Sequence, residues 1–161
     1  HYYADQVATA TDAPFLNMVE MSCAEAGKIA PGGKVGLLGS PALQQVGVFE
    51  AALADQGLSS VYAAEQGRAL ATIRSIKAQG PSEFAAHTLS DICAQMVDDG
   101  ADVICICCTE FSLLASAINA RVPMFDALQV LVSASVEYSR LGASSPSVNE
   151  GGDAQRSAVA P

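Results

Sequence analysis

The sequence predicts an α/β protein built on a doubly wound parallel sheet. Three observations carry this. Short apolar runs alternate with amphipathic stretches from about residue 14 to residue 138, which is the order that lays helices over a parallel sheet. The run Val103-Ile104-Cys105-Ile106 is continuous rather than alternating, as a strand buried on both faces must be. Between these stretches stand backbone breakers, namely Pro31-Gly32-Gly33, Gly57, Gly80-Pro81 and Gly100.

Taken in order, His1 to Ala8 reads as the middle of a helix, which suggests that the chain is a fragment. Pro14 to Val19 is a short strand candidate, and a helix follows to about Ala30. Val35 to Leu38 is a buried strand. Ser40-Pro41 marks a helix start, with Ser as N-cap and Pro at the first helical position. That helix is expected to run to about Asp55. Ser59 to Tyr62 is a strand, and Glu65 to Ala78 a helix. Ser82 to Asp99 is a second helix, with Phe84, Leu89, Ile92 and Met96 assigned to one apolar face. After the strand that ends near Cys108, a short helix reaches Ala117. Val122 to Phe125 is the last strand, and Ala127 to Tyr138 the last helix. Residues 142–161 are rich in Ser, Gly, Ala and Pro and read as a flexible tail.

Composition narrows the function classes. Of 161 residues, half are hydrophobic and 16% charged, enough apolar material for a core and too much for a disordered chain. The net charge is −9, from 8 basic and 17 acidic residues. No basic cluster exists to meet phosphates, so neither nucleic acid nor an anionic membrane is an expected partner. No apolar run approaches the ~18 residues of a membrane span. The five cysteines are an odd number set mostly within apolar stretches. That is unlike a disulfide scaffold and fits a reducing compartment, so a cytoplasmic location is expected.

In a doubly wound sheet, ligands bind beyond the carboxyl ends of the strands. Three such ends carry polar or nucleophilic residues here: Gly39-Ser40, Cys108-Thr109-Glu110 and Asp126. Cys108 is the sharpest candidate. A thiol facing a helix start feels the backbone N–H groups and the positive end of the helix dipole, and both lower its pKa. The expected result is a thiolate able to act as base or nucleophile. The plainer reading makes Cys108 a small hydrophobe like Cys105 and Cys107. Those two cysteines share one strand face, and neither has a partner pair at metal-ligand spacing, so no metal is expected. Cys23 and Cys93 fall on helices and are expected to be buried. His87 lies mid-helix, and Lys77 closes a helix where a dipole contact would explain it. No dinucleotide fingerprint, P-loop or nucleophile elbow is present.

Several segments together resemble one family. Ala101-Asp102 through Cys108-Thr109-Glu110 is similar to the second cysteine motif of the aspartate/glutamate racemase superfamily. His1-Tyr2-Tyr3-Ala4-Asp5 resembles the stretch just after the first cysteine motif there. Phe15-Leu16-Asn17-Met18 resembles the next strand, and Lys34 to Ser40 the strand opening the second half. Ile76-Lys77-Ala78 resembles a segment whose Lys helps hold the distal carboxylate in aspartate racemases. Pro123-Met124-Phe125-Asp126 resembles the strand near the end. The resemblance spans nearly all of residues 1–140. Leu43 stands near where the family often carries a Thr.

The resemblance implies two pseudo-symmetric flavodoxin-like halves, the first incomplete in this chain. Residues 1–23 would be the remnant of the first half and 24–122 the second half, carrying Cys108. Residues 123–142 would return to the first half, and 143–161 form the tail. Exposed apolar surface is expected on the flanks. The implied activity is cofactor-independent racemisation of an aspartate- or glutamate-type amino acid by two cysteines. Inverting an α-carbon needs a base on one face and an acid on the other. Cys108 would be one of the pair, and Ser40, Lys77, Thr109 and Glu110 would bind the substrate. Glu110, where dedicated glutamate racemases carry His, points to the aspartate-type branch. The first cysteine would lie in a preceding piece on the order of 70–80 residues, two or three βα units of roughly 30 residues each. The chain by itself is then expected to be inactive. The expected partner is a small amino acid or dicarboxylate, with a homodimer as a family-level expectation. Other readings are a maleate isomerase or malonate decarboxylase relative, a non-catalytic dicarboxylate-binding domain, and a redox thiol.

Overall fold

The computed structural model describes residues 3–10 and 15–142. Its elements in chain order are α1 (Ala4–Thr9), α2 (Met18–Ile29), β1 (Lys34–Leu38), α3 (Pro41–Val46), α4 (Glu50–Asp55) and β2 (Ser59–Val61). They continue with α5 (Gln66–Gln79), α6 (Glu83–Asp98), β3 (Val103–Ile106), α7 (Thr109–Ser112), β4 (Met124–Asp126) and α8 (Ala127–Gly142). The four strands form one parallel sheet in the order β2-β1-β3-β4. Val35 lies opposite Val103 and Leu38 opposite Ile106, while Ile106 also lies opposite Asp126.

Side chains alternate across this sheet and feed two cores. On one face, Leu38, Ile104 and Ile106 pack with Ile73 and Ile76 of α5, Leu89, Ile92 and Met96 of α6, and Phe111 of α7. On the other, Val35, Leu37, Val103 and Cys105 pack with Val19, Cys23 and Ala26 of α2 and Leu53 of α4. Helices therefore cover both faces, and all four residues of β3 are buried. That double burial is why β3 reads as an unbroken apolar run. Fully burying each of its aliphatic side chains is worth about 1.5–3 kcal/mol.

Local chemistry sets the helix ends. Asn17 Oδ1 accepts from the Val19 N–H at 3.1 Å at the start of α2, and Ser82 Oγ from the Ala85 N–H at 3.2 Å at the start of α6. Gly80, at φ +84°, closes α5. Asp126 ends β4 and caps α8, its Oδ1 accepting from the Leu128 N–H at 2.9 Å.

The structure departs from the sequence reading at several points. Phe15 to Asn17 form no strand, because Asn17 is committed to capping α2 and Met18 already belongs to that helix. Pro14 lies outside the described residues. The single helix expected over 41–55 is two helices, parted where Gly47 adopts φ +68°. Ser40 stands before Pro41 as expected, but its side chain makes no capping bond. Phe84 is 81% exposed, whereas Leu89, Ile92 and Met96 are buried. At the N-terminal end of α6, Phe84 points away from the face that meets the sheet. The helix after Cys108 ends at Ser112 rather than Ala117, and α8 extends to Gly142. The expected tail and the first two residues lie outside the described residues.

Candidate functional site at the end of the central strands

The chain passes from β1 outward to β2 and then returns across β1 to β3. The point where strand order reverses lies between β1 and β3, and the residues just past their carboxyl ends face it. The Cys107 N–H donates to the Leu38 carbonyl at 2.8 Å, so the two strand ends are tied together. This brings the Gly39-Ser40 turn and the Cys108-Thr109-Glu110 turn to one edge, although the sequence separates them widely.

Cys108 is half-buried in the N-cap position of α7. Its Sγ donates to Glu110 Oε2 at 3.0 Å. Thr109 Oγ1 donates to the same oxygen at 3.3 Å. The other carboxylate oxygen, Oε1, pairs with Lys77 Nζ of α5 at 3.2 Å. Lys77 is on the last turn of α5, which packs beside α7. Lys77, Glu110, Thr109 and Cys108 thus form one connected polar cluster. Ser40 lies half-buried on the adjoining turn, and its side chain is not bonded into this cluster.

The electrostatics reverse one expectation. N–H groups of Glu110 and Phe111 do approach the Cys108 sulfur and pull its pKa down. Burial pushes it up more strongly, and the Glu110 carboxylate adds to that, so the thiol stands at about 11. Cys108 is therefore a thiol at neutral pH, not the thiolate expected from a helix start alone. Glu110 moves the other way, to about 2, held down first by the Cys108 hydrogen bond and then by its own backbone N–H and by Lys77.

The remaining candidates separate from this cluster. Cys107 points to the opposite face, its Sγ 3.4 Å from both the Cys105 carbonyl and Cys105 Sγ, and burial pushes its pKa up. Cys23 and Cys93 are buried, each pushed up to about 12 by desolvation. His87 is exposed on α6, 3.5 Å from Asp91. Among the described residues, no group of three or more His, Cys, Asp or Glu is arranged to hold a metal, and no helix is long and apolar enough to cross a membrane. A groove of about 760 Å³ runs between α2 and α8, past Met21, Lys28 and Gln129; of the strand-end candidates Asp126 lines it, whereas Ser40, Cys108, Thr109 and Glu110 do not, nor does Lys77. Sequence reasoning missed a second polar contact, at the end of β2. There Tyr62 donates to Glu50 Oε1 at 2.7 Å and Ser60 to the same oxygen at 3.2 Å. No motif marks it, because the partners come from α4 and β2.

Sheet and cluster define an α/β protein of the doubly wound class with a thiol, a carboxylate and an ammonium joined at its switch point. The chain belongs to the Asp/Glu/Hydantoin racemase family, whose model matches residues 1–135. No curated protein sequence matches it. Among solved structures it is similar to the Picrophilus torridus aspartate racemase, with 21% identity and TM-score 0.69 over 87% of this chain and 58% of that one. It is also similar to a Yersinia pestis protein assigned to the Asp/Glu racemases, with 23% identity and TM-score 0.72 over 85% and 61% of the two chains. A glutamate racemase isoform from Bacillus anthracis aligns at 17% identity and TM-score 0.61, over 86% and 53%. The chain thus spans about three-fifths or less of the length of these structures.

Proposed function

We propose that this chain is the carboxyl-side part of a cofactor-independent racemase acting on an aspartate- or glutamate-type amino acid. Cys108 is one of its two acid–base groups. The observation that carries this reading is the Cys108 thiol at the end of the central strand, within 3.0 Å of a carboxylate that Lys77 neutralises. A proton donor or acceptor at the switch point, beside a cation able to attract a substrate carboxylate, is what inversion at an α-carbon requires on one face. In this reading Lys77 and Thr109 meet the substrate carboxylates, and Ser40 closes the same edge from β1.

In this reading the second thiol comes from another part of the protein. The other described cysteines do not offer a substitute, being buried or turned to the opposite core. Surface chemistry supports a further half-domain. Leu128, Val132 and Val136 recur every four residues along the outer face of α8, and all three are exposed, as are Tyr3 and Val7 of the first helical segment. In this reading the described parts of the flanking segments, 3–10, 15–23 and 123–142, are where a further half-domain would dock.

Exchange of the α-proton of aspartate and of glutamate in heavy water, followed by NMR, tests the reading. The expected result is no exchange with this chain alone. A longer chain carrying the preceding residues should exchange the proton and invert the α-carbon, and should lose the inversion on Cys108→Ser. Inversion that survives Cys108→Ser in the longer chain would sink the assignment.

A further inference from the structure

Glu110 divides its two oxygens between opposite duties. Oε1 faces the Lys77 ammonium at 3.2 Å, while Oε2 accepts from the Cys108 thiol at 3.0 Å and from the Thr109 hydroxyl at 3.3 Å. A carboxylate so committed has little left to offer a ligand, so the substrate-binding role that the family resemblance implies for it fits the geometry poorly. From this arrangement we infer that Glu110 is a positioning residue that keeps the proton on Cys108, so that Cys108 enters the reaction as the proton donor. The inference rests on the reading of Cys108 as an acid–base group.

The physics is direct. An S–H that donates to a carboxylate is stabilised in its protonated form, and ionising it would set two anions 3.0 Å apart. Burial also holds the proton on sulfur, while the N–H groups of Glu110 and Phe111 favour the thiolate, so without the Glu110 charge only burial would oppose them and the Cys108 pKa would fall. Lys77 keeps Glu110 an anion and fixes its orientation from α5. Glu110, and through it Lys77, are the charged groups described beside Cys108, and Ser40 on the β1 side adds no charge. In the reaction the S–H bond breaks as a C–H bond forms at the substrate's carbanionic α-carbon, leaving a Cys108 thiolate. The opposing cysteine, a thiolate in that state, has by then taken the original α-proton and become the thiol. Running the cycle in reverse returns the proton to Cys108. The resting state is thereby polarised: one substrate hand meets a charged enzyme ready for it, and the other must wait for the opposite protonation state.

The test is the pH profile of Cys108 alkylation by iodoacetamide in this chain, read by peptide mass spectrometry with Cys23 and Cys93 as internal controls. Glu110→Gln removes the charge and keeps an acceptor. The expected result is a downward shift of the Cys108 midpoint by about one pH unit or more. The thiolate fraction near pH 8 rises about tenfold per unit while each thiolate becomes a weaker nucleophile, so the reaction there should be several-fold faster. The controls should not change. An unchanged Cys108 midpoint in a folded Glu110→Gln protein would overturn the inference. If that variant fails to fold, Lys77→Met decides: with Glu110 unneutralised, the midpoint should hold or rise, and a fall would overturn the inference. The α-proton exchange assay reads a different property. Loss of the racemase reading there leaves an alkylation shift standing, and an unshifted midpoint leaves the racemase reading standing.

Discussion

Gly39 lies against Cys107 where β1 and β3 end side by side: a Cβ placed on Gly39 would stand 3.3 Å from the Cys107 Cβ and would collide with Leu43 Cδ1. A side chain there would have to displace the Leu43 methyl and press on Cys107, where the Ser40 turn and the Cys108 turn share one edge. Gly39→Ala should therefore force Leu43 of α3 to repack and crowd the end of β3. The expected cost is about 1–3 kcal/mol, in the range of overpacked cores, measurable as a lowered midpoint in urea with unchanged m-value.

Ser22 of α2 is 1% exposed, and its Oγ finds no hydrogen-bond partner among the described residues. A buried hydroxyl left unpaired costs about 1–3 kcal/mol in desolvation, and Ala is the better helix former. Ser22→Ala should accordingly raise stability by about 1 kcal/mol. Urea titration of the two proteins would show it, and an equal or lowered midpoint would refute the assignment of Ser22 as unsatisfied.

Phe84 and Leu89 share α6 but not its environment. Leu89 is fully buried between α6 and the sheet, so Leu89→Ala should cost about 2–5 kcal/mol. Phe84, four-fifths exposed, has little to lose, and Phe84→Ser should stay within about 0.5 kcal/mol of the parent. Comparable losses at the two positions would contradict this packing.

Alkaline pH should unfold the protein through its thiols. Burial raises Cys23 and Cys93 from 9.0 to about 12, and burial with the Glu110 bond raises Cys108 to about 11. A raised thiol pKa means that the folded state holds its proton more tightly than the unfolded chain. This stabilisation is complete below about pH 9 and is lost as pH rises towards 11–12. Cys93→Ala should flatten the decline of stability between about pH 9 and 12 by up to about 1.4 kcal/mol per pH unit. Denaturant titrations at stepped pH would reveal it, and an unaltered slope would argue that Cys93 is not buried as a thiol.

Much of this protein was legible in its residues. The unbroken run of β3, the helix that begins at Ser82 and the glycine stops at Gly80 and Gly100 all announce local structure, because periodicity and chain breakers act within a few residues. The Cys-Thr-Glu turn stood out for the same reason. Other features depend on what lies across the fold. Phe84 fits the helical period as well as Leu89 does, and only its distance from the sheet exposes it. Gly47 splits a helix that the pattern alone would continue. Most telling is Cys108. A helix start predicts a thiolate, whereas desolvation and a carboxylate held in place by Lys77 of another helix keep the proton on sulfur. By itself the sequence determined the fold class, the order of the strands along the chain, and which strand end bears the thiol, since those arise from short-range pattern. Tertiary structure alone decided that Lys77 would reach Glu110 and that Cys108 would be buried enough to hold its proton. Charge and burial act through space, and the sequence does not state which distant side chains share that space.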